Sequence, residues 1–182
     1  MRSLPEITQN MLSSFRKKEQ RQMRKTNDEL LSITAINPNP IFYRITILSY
    51  VFSKILSKPR FLTNEFGPIL SQIEKDLSLL VESISTPNEE KTLYLISKVE
   101  DSISKLDSKD PRFVIDLLTK GKLKIAATLY AQGMSLGVAS TITGLEKQEI
   151  LDYSGQTMMF DRLKEEKDIL SRMKVARRMI GE

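Results

Sequence analysis

Lys147 and Gln148 are the two side chains of this sequence whose types and position best suit hydrogen bonding to nucleic-acid bases. They are adjacent, near the start of a short helix predicted from Leu145 to Tyr153. Lysine suits guanine, and glutamine suits adenine. When a helix enters the major groove, exposed residues near its N-terminus are the ones that reach the base edges. We therefore predict that this pair contacts double-stranded DNA.

The predicted helix around this pair carries more negative than positive charge. Glu146, Glu149 and Asp152 accompany Lys147, which gives the segment a net charge of −2. Because contacts to phosphates supply most of the affinity of DNA-binding proteins, positive charge has to come from elsewhere in the chain. The candidate residues lie before and after this helix and in the N-terminal segment: Lys120, Lys122, Lys124, Arg162, Lys164, Arg16, Lys17, Lys18 and Arg21.

The positive charge of the chain is concentrated at its N-terminus. Residues 1–26 contain seven basic and two acidic residues, so they account for the whole net charge of +5. Such a cluster indicates an anionic partner that the terminus reaches. The alternative is that these lysines and arginines only keep the protein in solution.

Residue types that enzymes commonly use are missing. The sequence contains no cysteine and no histidine, so it can form no disulfide, no thiolate zinc site and no histidine general base. The carboxylates that could serve instead are Asp76, Glu82, Glu89 and Glu90. All four are predicted on exposed helix faces beside lysines, where a solvated surface explains them. We predict that the protein is not an enzyme and binds no cofactor or metal.

Residues 122–155 have the spacing of three short helices. The first is predicted from Leu123 to Gln132, the second begins at Ser135 and ends near Thr143, and the third contains Lys147 and Gln148. Ser135 can cap the second helix, and we include it among the predicted nucleic-acid contacts.

Small residues within this segment predict how its helices meet. Two helices that cross steeply need small side chains at the crossing, and Ala139 and Ser140 supply them. Gly144 follows four residues later, where the turn requires a residue that tolerates positive φ. Leu145 and Ile150 then face back into a small core. The pattern predicts a helix-turn-helix, although an ordinary bundle and a protein-binding unit have the same periodicity.

A resemblance to a known family is carried by the run LYAQGMSLGVASTITGLEKQEILDY. It is similar to the helix-turn-helix core of small prokaryotic proteins related to antitoxins and transcription regulators. Their shared phrase is roughly L-Y-x-x-G-x-S-L-G-x-A-A-x-L-x-G, and Ser140 stands here in place of the second alanine. The resemblance covers residues 122–155, about 35 of 182 residues. It implies DNA binding or antitoxin-like pairing with a protein.

The N-terminal half is also predicted to be helical. Residues 5–35 can form one polar helix, which the prolines at 38 and 40 end. The segment from Ile41 to Leu56 is apolar on nearly all sides, so periodicity alone cannot separate a buried helix from a strand. Its length and its helical surroundings favour a helix that its neighbours cover.

A helical hairpin and a short helix are predicted to follow. Apolar residues at three- and four-residue steps from Phe66 to Ile84 indicate an amphipathic helix. Thr86 and Glu89 have the spacing of a capping box that starts the next helix. A short helix then begins near Asp110, and Gly121 is placed to end it in a left-handed conformation.

Together these patterns predict an all-α protein: a basic N-terminal arm (1–36), a helical lobe (37–119), a helix-turn-helix unit (120–157) and a long C-terminal helix (158–182). The apolar residues of the last helix suggest a homodimer. No apolar run is long enough to span a membrane, so a cytoplasmic location without membrane contact is expected. The predicted function is a DNA-binding regulatory or accessory protein, and the alternative is a non-enzymatic protein-protein adaptor.

Overall fold

The computed structural model describes residues 2–86, 88–110 and 116–162, together with Met173 and Arg177, which are both helical. Within these residues the chain forms eight α-helices and no strand, which confirms the predicted all-α fold. The helices are α1 (Leu4–Arg16), α2 (Gln20–Ile36), α3 (Pro40–Leu56), α4 (Gly67–Ile84), α5 (Glu89–Ser108), α6 (Leu117–Ala131), α7 (Leu136–Thr143) and α8 (Lys147–Gln156).

The predicted C-terminal helix lies mostly outside the described residues, and so does Lys164. The described start of that segment differs from the prediction. After α8 the chain makes a turn in which Met158 has a positive φ of 46°, and a short 3₁₀ helix follows at Phe160–Arg162. The segment from residue 158 to residue 162 is therefore not α-helical.

The N-terminal segment is two helices, not the single helix expected over residues 5–35. The chain turns between Arg16 and Gln20, where Lys18 has a positive φ of 56°. The turn directs apolar residues of both helices inward, and Ile7 and Met11 of α1 and Met23 of α2 have no exposed surface. Residues 4–36 thus contribute to the main hydrophobic core.

Helix α3 is central, and the choice of helix over strand is confirmed. The Asn39 side chain accepts a hydrogen bond from the Ile41 N–H at 2.8 Å and caps the helix start. Ile47 and Phe52 are fully buried, because α3 is contacted by α1, α2, α5, α6 and α7. None of the helices in the described part of the chain is long and apolar enough to cross a membrane.

The hairpin of α4 and α5 is present, but its cap differs from the prediction. Asn88, not Thr86, caps α5 by accepting from the Lys91 N–H at 2.9 Å. The Thr86 hydroxyl donates instead to the Ser83 carbonyl oxygen at 2.7 Å.

Asp76 does not lie on an exposed face, as the sequence had predicted. It is 6% exposed, and its carboxylate accepts hydrogen bonds from Gln72 Nε2 and Ser102 Oγ, each at 2.9 Å. Ser102 belongs to α5, so the carboxylate links the two helices of the hairpin. Such bonds offset the cost of removing a carboxylate from water, and helix periodicity alone does not show that they are available.

Gly121 does not end a helix. It lies inside α6, which begins at Leu117. The Asp116 side chain caps the start of this helix by accepting a hydrogen bond from the Thr119 N–H at 2.7 Å. The glycine permits a close approach of α6 to α3, because a Cβ at this position would lie 3.0 Å from Val51 Cγ2 and 3.1 Å from Ile47 Cγ2. The first helix of the predicted unit is therefore longer than expected, and its N-terminal half packs on α3.

Candidate nucleic-acid interface

Helices α6, α7 and α8, called here the trihelical unit, are separated by two short turns. In the first turn Gly133 has a positive φ of 105°, and the Met134 N–H donates to the Leu129 carbonyl oxygen at 3.0 Å. Ser135 then caps α7, since its Oγ accepts from the Val138 N–H at 3.2 Å. Gly144 ends α7 in the left-handed conformation, with φ 68° and ψ 14°.

The turn between α7 and α8 is held by side-chain hydrogen bonds. Ser140 Oγ donates to the Leu145 carbonyl oxygen at 2.7 Å, and Thr143 Oγ1 accepts from the Leu145 N–H at 3.2 Å. An alanine at position 140 and an apolar residue at position 143 would lack these bonds. Ser140, which departs from the family phrase, and Thr143 therefore both have a local structural role around Gly144.

The trihelical unit has a small core of its own. Ala126, Ala139 and Ile150, one residue from each helix, are fully buried against one another. The partly buried residues packed around them are Tyr130, Met134, Leu136 and Leu145. The small side chain of Ala139 thus lies where the three helices meet, and Leu145 and Ile150 face inward.

The outer face of α8 is exposed. Lys147 and Gln148 both lie on it, and Gln148 Nε2 donates to Asp152 Oδ1 at 2.7 Å. Glu149 Oε2 accepts from the Glu146 N–H at 2.9 Å. A carboxylate at this position is stabilised by the positive end of the helix dipole, which offsets part of its charge. The start of α8 nevertheless carries a net negative charge, because Glu146 and Glu149 flank Lys147, and DNA phosphates repel it.

The predicted basic residues are dispersed. Lys122 and Lys124 are half-buried on α6, whereas Lys17, Lys18 and Arg21 are exposed around the α1–α2 turn. Arg162 is the last residue of the 3₁₀ helix after α8. Arg16 is engaged within the fold: its Nε lies 2.8 Å from Glu74 Oε1, and its Nη2 donates to Ser78 Oγ at 3.0 Å. The described members of this set thus come from α1, the α1–α2 turn, α2, α6 and the 3₁₀ helix after α8.

A second group of cations was not predicted as a group, although its member Lys124 was a predicted DNA contact. Arg24 of α2, Lys54 of α3 and Lys124 of α6 line a cleft of about 330 Å³, called here the basic cleft. Lys54, like Arg44, is a charged residue within the largely apolar α3, and that is the local signal that could have identified it. The approach of three helices distant in sequence could not be derived from local patterns.

The basic cleft is electrostatically distinct. Burial lowers the pKa of Lys54, and the nearby charges of Arg24 and Lys120 lower it further. Asp28 is the carboxylate of the cleft, and burial raises its pKa while Arg24 opposes that rise. Burial also raises the pKa of Tyr50 to about 12, with a smaller contribution from Tyr153 of α8. The cleft therefore lies close to the trihelical unit.

The described residues contain no group of three or more carboxylates that could hold a metal ion. Comparison with known proteins finds no matching family model, no matching curated sequence and no matching solved structure.

Proposed function

We propose that the protein is a DNA-binding regulatory or accessory protein that uses the trihelical unit as a helix-turn-helix. One observation supports this most strongly: α7 and α8 join through left-handed Gly144 over a small separate core, with Lys147 and Gln148 on the outside. A helix held in this way can enter the major groove while α6 attaches it to the rest of the protein.

The affinity for DNA would come from basic residues outside α8. Lys17, Lys18 and Arg21 form an exposed cluster at the α1–α2 turn, and Arg24 lies one turn further along α2. The charge of Arg16 is already neutralised by Glu74. Each lysine or arginine that neutralises a phosphate makes DNA binding weaken more steeply with salt. The slope of log affinity against log salt concentration therefore measures the number of these contacts.

A salt-titrated mobility shift on genomic DNA fragments tests the proposal. We expect Lys147→Glu combined with Gln148→Glu to weaken binding at least tenfold, because two contacts to bases are replaced by repulsion. Charge reversal of Lys17, Lys18 and Arg21 should weaken binding to all sequences alike and reduce the slope of log affinity against log salt. These substitutions are preferable to removing residues 1–26, since Ile7, Met11 and Met23 belong to the core.

Lys105→Glu provides the matched control, because Lys105 is an exposed lysine on α5 outside both basic groups. If the intact protein shifts no fragment at low salt, the DNA-binding proposal is wrong. An equal loss from Lys105→Glu would also contradict it, since the effect would then reflect net charge alone.

The second candidate function is a protein-protein adaptor, and the surface of α8 favours it. The helix start is acidic, and Leu151, 37% exposed, lies on the same helix. Val138 of α7 is 41% exposed. A mixed acidic and apolar face suits a basic partner with apolar anchors. For an adaptor we expect a stoichiometric protein complex that Leu151→Lys disrupts, and no mobility shift of nucleic acid.

The proposal includes a homodimer. Met158 is 67% exposed and Phe160 is 52% exposed, and both follow α8 directly. Exposed apolar side chains close together are typical of interaction surfaces. Light scattering coupled to size exclusion should give twice the chain mass, and Met158→Ser should shift the mass towards the monomer.

A further inference from the structure

The basic cleft combines charges that the fold, not the sequence, brings together. Arg24, Lys54 and Lys124 come from α2, α3 and α6, and Lys120 is near enough to affect Lys54. Asp28 supplies one negative charge in return. The lining residues therefore carry two net positive charges in a concave, partly dehydrated space, which concentrates anions.

Two of these cations are not held in salt bridges in the described part of the chain, although the charge of Arg24 acts on Asp28. Among the residues that the structure describes, neither Arg24 nor Lys54 forms a salt bridge. Lys54 Nζ lies instead 5.2 Å from the centre of the Tyr50 ring. A ring face is not a lone-pair acceptor, so this contact does not occupy all the N–H donors of the ammonium group.

Other polar side chains of the cleft already form hydrogen bonds within the fold. Asn27 Nδ2 donates to the Thr46 carbonyl oxygen and to Ser49 Oγ, at 3.0 Å and 2.8 Å. Thr128 Oγ1 donates to the Lys124 carbonyl oxygen at 2.7 Å. Lys124 Nζ itself donates to Met159 Sδ at 3.2 Å. The donors left for a ligand are therefore mainly those of Arg24 and Lys54, and charged donors select a compact anion over a neutral polar molecule.

We propose that the basic cleft binds a phosphate group, held by the Arg24 guanidinium and the Lys54 ammonium group, with the positive charge of Lys124 beside them. A guanidinium matches two phosphate oxygens at once, and the lysines supply point charges. The volume of about 330 Å³ also accommodates a small organic group attached to the phosphate. The phosphate belongs either to the DNA backbone or to a free phosphorylated molecule. This site does not require α8 to contact bases, so it goes beyond the proposed function.

Amide chemical shifts of the full chain, recorded during titration with pyrophosphate in phosphate-free buffer at low salt, test the site. We expect saturable shifts confined to residues around Arg24, Lys54 and Lys124. Lys54→Gln should weaken binding about tenfold, because one charge-assisted contact is lost, whereas Lys54→Arg should retain it. Lys105→Gln, an exposed lysine on α5, should leave the affinity unchanged.

A mobility shift with the Arg24→Gln and Lys54→Gln double variant distinguishes the two sources. Weaker DNA binding with a reduced salt slope supports a backbone phosphate. Unchanged DNA binding with lost pyrophosphate binding supports a free phosphorylated ligand. Pyrophosphate binding without any DNA binding also supports the phosphate site, but it contradicts the proposed DNA-binding function. The absence of saturable shifts around the cleft, or an equal loss in Lys105→Gln, overturns the site.

Discussion

Gly121 shows how a single missing side chain sets the distance between two helices. A Cβ at this position would lie 3.0 Å from Val51 Cγ2 and 3.1 Å from Ile47 Cγ2, and both neighbours are fully buried on α3. We expect Gly121→Val to lower the free energy of unfolding by about 1–3 kcal/mol, because the core must move apart to accommodate it. Urea denaturation measures the loss.

Gly137→Ala is the matched control for this prediction. Gly137 is helical in α7, and a Cβ there would meet nothing within 4 Å. Alanine restricts the unfolded chain more than glycine does, so this variant should be neutral or more stable by up to about 1 kcal/mol. If Gly121→Val were as stable as Gly137→Ala, the close approach of α6 to α3 would be wrong.

Asp107 makes the stability of the fold depend on pH. Burial raises the pKa of its carboxyl, while a hydrogen bond from the Leu117 N–H, 2.7 Å from Oδ2, opposes the rise. Because the folded pKa lies above the ordinary value of 3.8, the protonated form favours folding. Its contribution is therefore greatest below about pH 4 and declines as pH rises through the folded pKa.

Asp107→Asn tests the direction of this change of stability with pH. The amide oxygen can still accept from the Leu117 N–H, but the buried charge is absent at neutral pH. We expect the variant to be at least as stable as the native chain at pH 7, with the difference shrinking as pH falls towards 4. Chemical denaturation across that range measures it, with the exposed Asp101→Asn as control. A native advantage that grows with pH would contradict the assignment.

At the scale of elements, α7 and α8 depend on very few buried residues. Ala126, Ala139 and Ile150 form their small core, whereas Ile125 and Leu129 of α6 belong to the main core. Ile150→Ala should therefore cost about 2–5 kcal/mol in the local stability of α7 and α8. Hydrogen exchange should accelerate in these two helices and remain slow in α3. Leu151→Ala, at the adjacent exposed position, should change neither rate appreciably.

The elements that sequence predicted well are those whose signals are local. Gly144 and Ser135 determine a turn and a cap within a few residues of themselves, so composition and spacing were sufficient. The helical state of α3 followed from its length and surroundings. The N-terminal helices were harder, because the turn at Lys18 has no glycine or proline to mark it. Helix periodicity also predicted that Asp76 is exposed. The hydroxyl of Ser102 that donates to its carboxylate belongs to a different helix, α5, so the pattern of α4 alone does not reveal it.

The basic cleft was missed for a reason that belongs to the whole molecule. Its cations are separated by tens of residues, and only the packing of α2, α3 and α6 brings them together. The same packing connects the trihelical unit to the rest of the fold, since Thr128 and Lys124 line the cleft from α6. An anion in the cleft would therefore contact both the N-terminal helices and the first helix of the unit.

The sharing of α6 predicts that the trihelical unit does not fold alone. Leu117, Ile125 and Leu129 are buried in the main core, so a fragment of residues 116–162 would expose them and keep only a three-residue core. Chains of about this length rarely fold on so little buried surface. We expect this fragment to give the narrow amide proton dispersion of an unfolded chain, while the full chain under the same conditions gives a dispersed spectrum. Slowly exchanging amides in α8 of the fragment would show instead that the unit is an independent domain, and α3 would then be a docking surface for the unit and not a required part of its core.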